Sequence, residues 1–261
     1  MNQKSHDMPP TLSHETDQGN GAPGDFSQGL VAVVTGGSRG IGKALVLLLL
    51  EHGWSVFFCS RRQESDLDWL AELPDTLKSK ICYQQADLST RAGCSEMAEA
   101  VTARLGHLDM LVHNAGAFVG DHLLDAPEGQ LEGQMALHVY SAYFLSRAWH
   151  PLLLRSSRPY VFHMCSVASL RAYPGGASYC ISKFALLGLS RMMRLEWMAD
   201  GIAVSAVVPG AVYTDSWADS PWPAERLMPA EDVAAAILHA YQASPRTVYE
   251  EILLRPAMGD L

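Results

Sequence analysis

Val31-Ala32-Val33-Val34-Thr35-Gly36-Gly37-Ser38-Arg39-Gly40-Ile41-Gly42 is the stretch that decides the fold. Its first four residues form a solidly apolar run of β-type side chains. Such a run suits a strand buried on both faces, as in a parallel sheet. A glycine-rich turn follows, and then a helix-like run from Lys43 to His52 that Gly53 would stop. Glycine permits a tight turn and lets backbone come close to a pyrophosphate. The N-terminus of the following helix offers unpaired N–H groups and a positive dipole end to the same anion. A glycine cluster alone could be a mere tight turn; the strand–turn–helix setting gives it chemical meaning.

The same alternation continues outward. Strands are predicted at 56–59, 81–84, 110–113, 159–164, 202–208 and 248–254. Helices are predicted near 67–73, 90–105, 129–154, 178–199 and 231–243. Strands alternating with helices build βαβ units. The expected class is therefore α/β, a doubly wound parallel sheet of about seven strands with helices on both faces. Residues 1–28 are polar and rich in Gly, Pro, His and Asp, without periodicity. They read as a disordered tail, with a partner-binding arm as the alternative. Residues 29–261 read as one domain.

Composition excludes several classes of function. With 48% apolar and 18% charged residues the chain can bury a large core. A net charge of -9 repels phosphate backbones, so no nucleic acid partner is expected. The five cysteines are odd in number and none form a CxxC pair, which reads as free thiols without disulfide frame or zinc. Cys180 is the one candidate for a reactive thiol, because it follows Tyr179. No apolar run reaches membrane-spanning length and the N-terminus lacks signal-peptide order, so a soluble cytoplasmic protein with no membrane partner is the expectation.

Tyr179-Cys180-Ile181-Ser182-Lys183 opens a predicted helix, where positions i and i+4 share a face. A phenol ordinarily titrates near 10, and an adjacent ammonium would favour its anion and lower that value. Ser166 ends the fifth predicted strand, thirteen residues before Tyr179; Ser169 is its rival by residue type. Asn114-Ala115-Gly116 ends the fourth strand, and Pro209-Gly210-Ala211-Val212-Tyr213-Thr214 follows the sixth. With the Gly-x-x-x-Gly-x-Gly turn, these motifs stand in order at strand ends. The chain resembles the short-chain dehydrogenase/reductase family over roughly residues 30–255.

That resemblance implies a Rossmann-like sheet and a dinucleotide cradled by Gly36, Ser38, Arg39, Gly40, Ile41 and Gly42. It implies that Asp87, beside Leu88, accepts from the adenine amino group, and that Asn114, Ala115 and Gly116 wall the adenine ribose. Pro209, Gly210, Val212 and Thr214 would lie along the nicotinamide carboxamide and a nearby phosphate. Ser166 and Tyr179 would bind the reacting oxygen, and Lys183 would hold the nicotinamide ribose. In the family an Asn stands where this chain has His138, and it supports a water on the proton relay; the imidazole or its backbone carbonyl could do the same, or the ring could be structural. The end of the second strand reads Cys59-Ser60-Arg61-Arg62, with no carboxylate for a ribose 2′-OH. Arg61 and Arg39 can pair with a 2′-phosphate and Ser60 can donate to it, which points to NADP(H); a solvated basic loop is the alternative.

The expected activity is reduction of a ketone or aldehyde by hydride transfer, with Tyr179 as proton donor. Oxidation of an alcohol and a non-catalytic NADP(H) sensor or scaffold are the competing readings. Trp217 and Trp222 would line an apolar lid over a small-molecule carbonyl or alcohol substrate, with structural packing as the alternative, and Tyr173, Met193 and Tyr213 are further pocket candidates. The resemblance also implies a homodimer or homotetramer through the two long helices. β-Ketoacyl reductases of the family dock an acidic carrier protein through basic residues; Asp200 and the acidic surface disfavour that here, and Arg155 and Arg158 keep it open.

Overall fold

The computed structural model describes residues 26, 28–214 and 222–260. β1 (Val31–Thr35) is buried at every position, as its unbroken apolar run requires. It pairs in parallel with β2 (Ser55–Ser60) on one side and β4 (Met110–His113) on the other, so that Val33 lies between Phe57 and Leu111. With β3 (Ile81–Gln85), β5 (Tyr160–Met164), β6 (Ala203–Pro209) and β7 (Glu251–Leu254), these strands form one parallel sheet in the order β3-β2-β1-β4-β5-β6-β7. The chain winds outward from β1 to β3 and then returns to the other side of β1. At that reversal the connections leave β1 and β4 in opposite directions and open a crevice beyond their C-terminal ends.

Helices cover both faces. Ala32, Val34, Val56, Phe58, Val112 and Phe162 pack against α1 (Gly40–Glu51) and α8 (Ala230–Gln242). The alternate residues Val31, Val33, Phe57, Leu111 and Val161 pack against α4 (Arg91–Arg104), α6 (Ser141–Leu153) and α7 (Ala177–Trp197). No helix among the described residues is long and apolar enough to cross a membrane.

Three expectations change. The helix predicted near 67–73 shortens to one turn, α2 (Asp68–Ala71), and a second turn, α3 (Asp75–Lys78), which lies beyond the predicted range, follows Pro74, whose missing N–H bars a continuous helix. The helix predicted over 129–154 is α5 (Gln130–Met135), a π-helical turn at Ala136–Tyr140, and then α6. Such widened turns insert one residue and often sit at functional sites; this one carries His138. Finally, Phe26 lies inside the stretch expected to be disordered, yet it is buried against Phe57 at 6.3 Å between ring centroids. A single aromatic in a polar run leaves no periodicity to read. Residues 1–25 and 27 lie outside the described residues, so the remainder of the tail expectation does too.

The sheet also buries two imidazoles. His113 on β4 and His163 on β5 are register partners with rings stacked at 5.1 Å. His113 Nε2 bonds Ser146 Oγ at 2.6 Å, whereas both ring nitrogens of His163 are buried without a partner among the described residues. Burial drives His163 down to about 3 and His113 well below its ordinary value, where the neighbouring ring adds to the effect. An unfolded histidine takes up its proton near 6.5. Between that pH and the folded value the unfolded chain therefore binds more protons, and stability is lost as pH falls. We expect the unfolding free energy to fall between pH 7.5 and 5.5, by about 1.4 kcal/mol per ring at one unit below its unfolded pKa, and the urea midpoint to fall with it. His163→Leu should remove part of that slope; a wild-type midpoint that does not move over this range would contradict the assignment.

Candidate active site

The site begins where β1 ends. Gly36 has φ +70°, in the left-handed region, and a Cβ there would lie 2.8 Å from Ala115 Cα. At Gly42 a Cβ would lie 2.2 Å from the Gly36 carbonyl oxygen. The glycines are therefore required for the turn and α1 to pack so closely. Asn114 locks this arrangement from β4: its Nδ2 donates to Thr35 O and Gly36 O, both at 3.0 Å. Thr35 Oγ1 in turn accepts from the amides of Asn114 and Ala115, also at 3.0 Å. Asn114, which the resemblance placed in a ribose wall, thus also clamps the glycine turn. No acidic residue occupies the first turn of α1, so its unpaired amides and positive end favour an anion in the crevice.

The arginine loop after β2 is held from β3, by residues the motif reading did not include. Tyr83 Oη donates to the Arg62 carbonyl, and Gln85 Nε2 donates to the Arg61 carbonyl at 3.1 Å. Ser60 Oγ lies 3.0 Å from Tyr83 Oη and accepts from the Arg62 amide at 3.2 Å. With Tyr83 donating to Arg62, the Ser60 proton goes to Tyr83. Ser60 therefore shapes the loop, and Arg61 and Arg39 line this end of the cleft with positive charge. Asp87 does not line the cleft; its Oδ1 accepts from the Ser89 amide and hydroxyl. Burial would raise its carboxyl, but those bonds and Arg61 outweigh that and hold it below the ordinary value.

At the end of β5, Ser166 and Ser169 separate in role. Ser169 is buried, and its hydroxyl accepts from the Ser166 amide at 3.2 Å. Ser166 accepts from the Ala168 amide at 3.1 Å, lines the cleft and shares a hydrogen bond with Tyr179. Tyr179 and Lys183 lie one turn apart on α7, with Nζ 5.6 Å from the phenol ring centroid. Nζ donates to Met164 O at 2.8 Å.

The electrostatics differ from the sequence expectation. Burial pushes the Tyr179 phenol up to about 12, opposed by the Ser166 hydrogen bond, and brings the Lys183 ammonium down to about 8. An i, i+4 spacing places the ammonium close to the phenol but says nothing about desolvation, which dominates here. The phenol is therefore protonated at neutral pH. Cys180 is buried, as is Cys165, whose thiol burial pushes up to about 11; buried thiols of this kind are not poised as nucleophiles.

These groups meet in one cleft of about 1400 Å³ at the β1/β4 crevice. Every residue expected at the site lines it except Asp87: the glycine turn with Ser38, Arg39 and Ile41, then Ser60, Arg61, Leu88, Asn114 to Gly116, His138, Ser166, Tyr179, Lys183, Pro209, Gly210, Val212 and Thr214. Tyr173 and Trp222 line it as well, whereas Met193 is in the core beneath α7 and Tyr213 is exposed outside the lining. Trp217 lies outside the described residues. Phe118, Arg171 and Asp260 also line the cleft and were not singled out from sequence. They come from three separate loops and no local spacing connects them. Phe118 meets the Tyr179 ring edge-on at 5.2 Å. Arg171 Nη2 pairs with Asp260 Oδ2 at 2.8 Å across the same end of the cleft.

Comparison with known proteins agrees with this architecture. The family model described as short chain dehydrogenase matches residues 30–222. A sepiapterin reductase from Chlorobaculum tepidum is 33% identical over 246 residues, covering 88% of this chain and 98% of that protein. Among solved structures, an alcohol dehydrogenase from Thermococcus sibiricus complexed with 5-hydroxy-NADP aligns with a TM-score of 0.80 and 25% identity, covering 89% of this chain and 98% of the other. The Pseudomonas aeruginosa RhlG/NADP active-site complex aligns with a TM-score of 0.79 and 30% identity, covering 90% and 98%. The chain belongs to the short-chain dehydrogenase family and is an oxidoreductase of that family.

The two serines provide a test. Ser166→Ala should cut kcat by about 10²–10³-fold, as removal of an oxyanion donor does, on top of about 1 kcal/mol of stability for the lost bond from the Ala168 amide. Ser169→Ala should likewise cost about 1 kcal/mol through its own lost capping bond but retain most of kcat. Equal kinetic losses from the two variants would remove the distinction drawn here.

Proposed function

We propose that the chain is an NADP(H)-dependent reductase of ketones or aldehydes, with Tyr179 as the proton donor. The observation that carries this reading is the Tyr179 hydroxyl, hydrogen-bonded to Ser166, with Lys183 one turn away on the same face of the cleft. The same hydroxyl gives its proton in carbonyl reduction and takes it back in alcohol oxidation, so it supports the chemistry and not the direction. The likeness to a sepiapterin reductase supports the reductive direction.

The residues present fit NADP(H). The turn before α1 approaches so closely that a Cβ at Gly36 or Gly42 would fill it, and α1 offers its amides to a pyrophosphate. Arg39 and Arg61 line the end of the cleft where an adenosine 2′-phosphate would lie, and no carboxylate stands at the end of β2. The NADP-bound relatives support that choice. When bound, the dinucleotide supplies or accepts the hydride. The protein aligns the substrate carbonyl oxygen with Ser166 and Tyr179, transfers the phenolic proton to it, and places a positive charge at Lys183 beside the phenolate that forms. Phe118, Tyr173 and Trp222 give the substrate end an aromatic rim, suited to a carbonyl on a flat or apolar body. Exposed apolar side chains on α6 and α7, among them Tyr143, Phe184, Met192 and Leu195, support assembly as a homodimer or homotetramer through those helices.

The first test is NADPH oxidation by the purified protein over ketones, aldehydes, quinones and β-ketoacyl thioesters, with NADH in parallel. Tyr179→Phe should abolish turnover and leave NADPH binding within about threefold, since one hydroxyl away from the phosphates is lost. If biological activity survives that substitution, the sensor or scaffold reading replaces the enzyme. Arg61→Asp should weaken NADPH at least about tenfold more than NADH, because it sets a carboxylate against a 2′-phosphate; equal loss for both would remove Arg61 from the site. Loss of the Lys183 charge predicts that kcat/KM falls as pH rises through about 8.

A further inference from the structure

His138 stands on the π turn between α5 and α6, 2% exposed, with its ring edge-on to Tyr179 at 5.6 Å. Its hydrogen bonds can each run in only one direction. The Ala117 amide lies 3.2 Å from Nε2 and can only donate, so Nε2 carries the lone pair. In a neutral ring the proton is then on Nδ1, which donates to Ser182 Oγ at 2.8 Å. Ser182 sends its own proton to the Tyr179 carbonyl at 2.8 Å. The chain is thus Ala117 N–H to Nε2, Nδ1–H to Ser182 Oγ, and Ser182 Oγ–H to Tyr179 O. It ties the loop after β4 to the first turn of α7, the turn that carries Tyr179.

Space has been cleared for this ring. A Cβ at Gly116 would sit 3.1 Å from His138 Nε2, so glycine lets the imidazole close on the loop. The π turn sets His138 facing α7 rather than leaving it on the register of a continuous helix. The titratable groups facing the ring are Lys183 and Tyr179, both on α7; from the loop after β4 comes only the Ala117 amide. Burial and the Lys183 charge hold the imidazole well below its ordinary value, in agreement with the neutral form the hydrogen bonds require.

We propose that His138 is a positioning residue that fixes the Tyr179 turn through Ser182 as a neutral Nδ1–H imidazole, and that the proton path to solvent does not pass through its ring. Both ring nitrogens are committed, so neither is open to a water or to Lys183. Protonation would set an Nε2–H against the Ala117 N–H and break the chain at its first link. The proposal rests on Tyr179 being the proton donor, and its first test is independent of turnover.

In the protein with ¹⁵N-labelled histidine, assigned by comparison with His138→Asn, the His138 Nε2 resonance should be pyridine-like and Nδ1 pyrrole-like, unchanged between pH 5.5 and 8. The opposite tautomer, or titration within that range, overturns the proposal whether or not a substrate has been found. Kinetics on a reduced substrate give the second test. His138→Asn places an amide near the Nδ1 position and can restore the link to Ser182, so kcat should stay within about threefold of wild type. His138→Leu and Ser182→Ala should each lower kcat at least about tenfold with KM little changed. Their double variant should be no worse than either alone, because they break one chain. NADPH affinity and melting temperature show whether each variant is folded. Rescue of His138→Ala by a series of substituted imidazoles, with a rate that follows their basicity, would mean that the ring carries protons and would overturn the proposal. So would loss in His138→Asn equal to that in His138→Leu, which would reduce the ring to packing.

Discussion

Everything at this site depends on how closely the first glycine turn approaches the end of β4. The Asn114 side chain reaches two consecutive carbonyls, Thr35 O and Gly36 O, while the Thr35 hydroxyl gathers two amides from the opposite strand end. These bonds join the two strands that flank the topological reversal, where the crevice opens. A side chain at Gly36 or Gly42 would push them apart. The same four residues therefore set the width of the cleft and the direction in which α1 presents its free amides.

Burial then sets the chemistry. Tyr179 and Lys183 are taken out of water together, and desolvation favours the neutral form of each: the phenol rises to about 12 and the ammonium falls to about 8. Two imidazoles in the sheet and His138 beside the site are held neutral for the same reason. A buried polar group is tolerated where hydrogen bonds satisfy it. His138 meets that condition at both nitrogens, whereas among the described residues His163 meets it at neither. The first arrangement is suited to holding an active-site turn; the second makes the sheet sensitive to acid.

The nucleotide end shows how second-layer contacts aim a binding residue. Arg61 and Arg62 are legible as basic residues at the right strand end, but their backbone is pinned from β3 by Tyr83 and Gln85. That support is 21 to 24 residues away in sequence, and nothing in the spacing connects it to the arginines. Ser60, expected to reach the phosphate, is drawn into the same support by Tyr83. Asp87 is likewise occupied by Ser89 and does not reach the cleft wall.

The amino-acid sequence by itself determined the seven strands, their parallel pairing and the cofactor turn, because continuous apolar runs, helical periodicity and glycine placement are local physical requirements. Through the family resemblance it also named Ser166, Tyr179 and Lys183; the spacing of the last two puts them on one helical face. Tertiary structure alone decided that burial outweighs the ammonium at Tyr179 and that Phe26 belongs to the core. It decided the break of the long helix at His138 and the commitment of that ring at both nitrogens. The dividing line is physical. Periodicity and turn chemistry act between neighbours in sequence, whereas desolvation and the direction of a buried hydrogen bond depend on groups that only folding brings together.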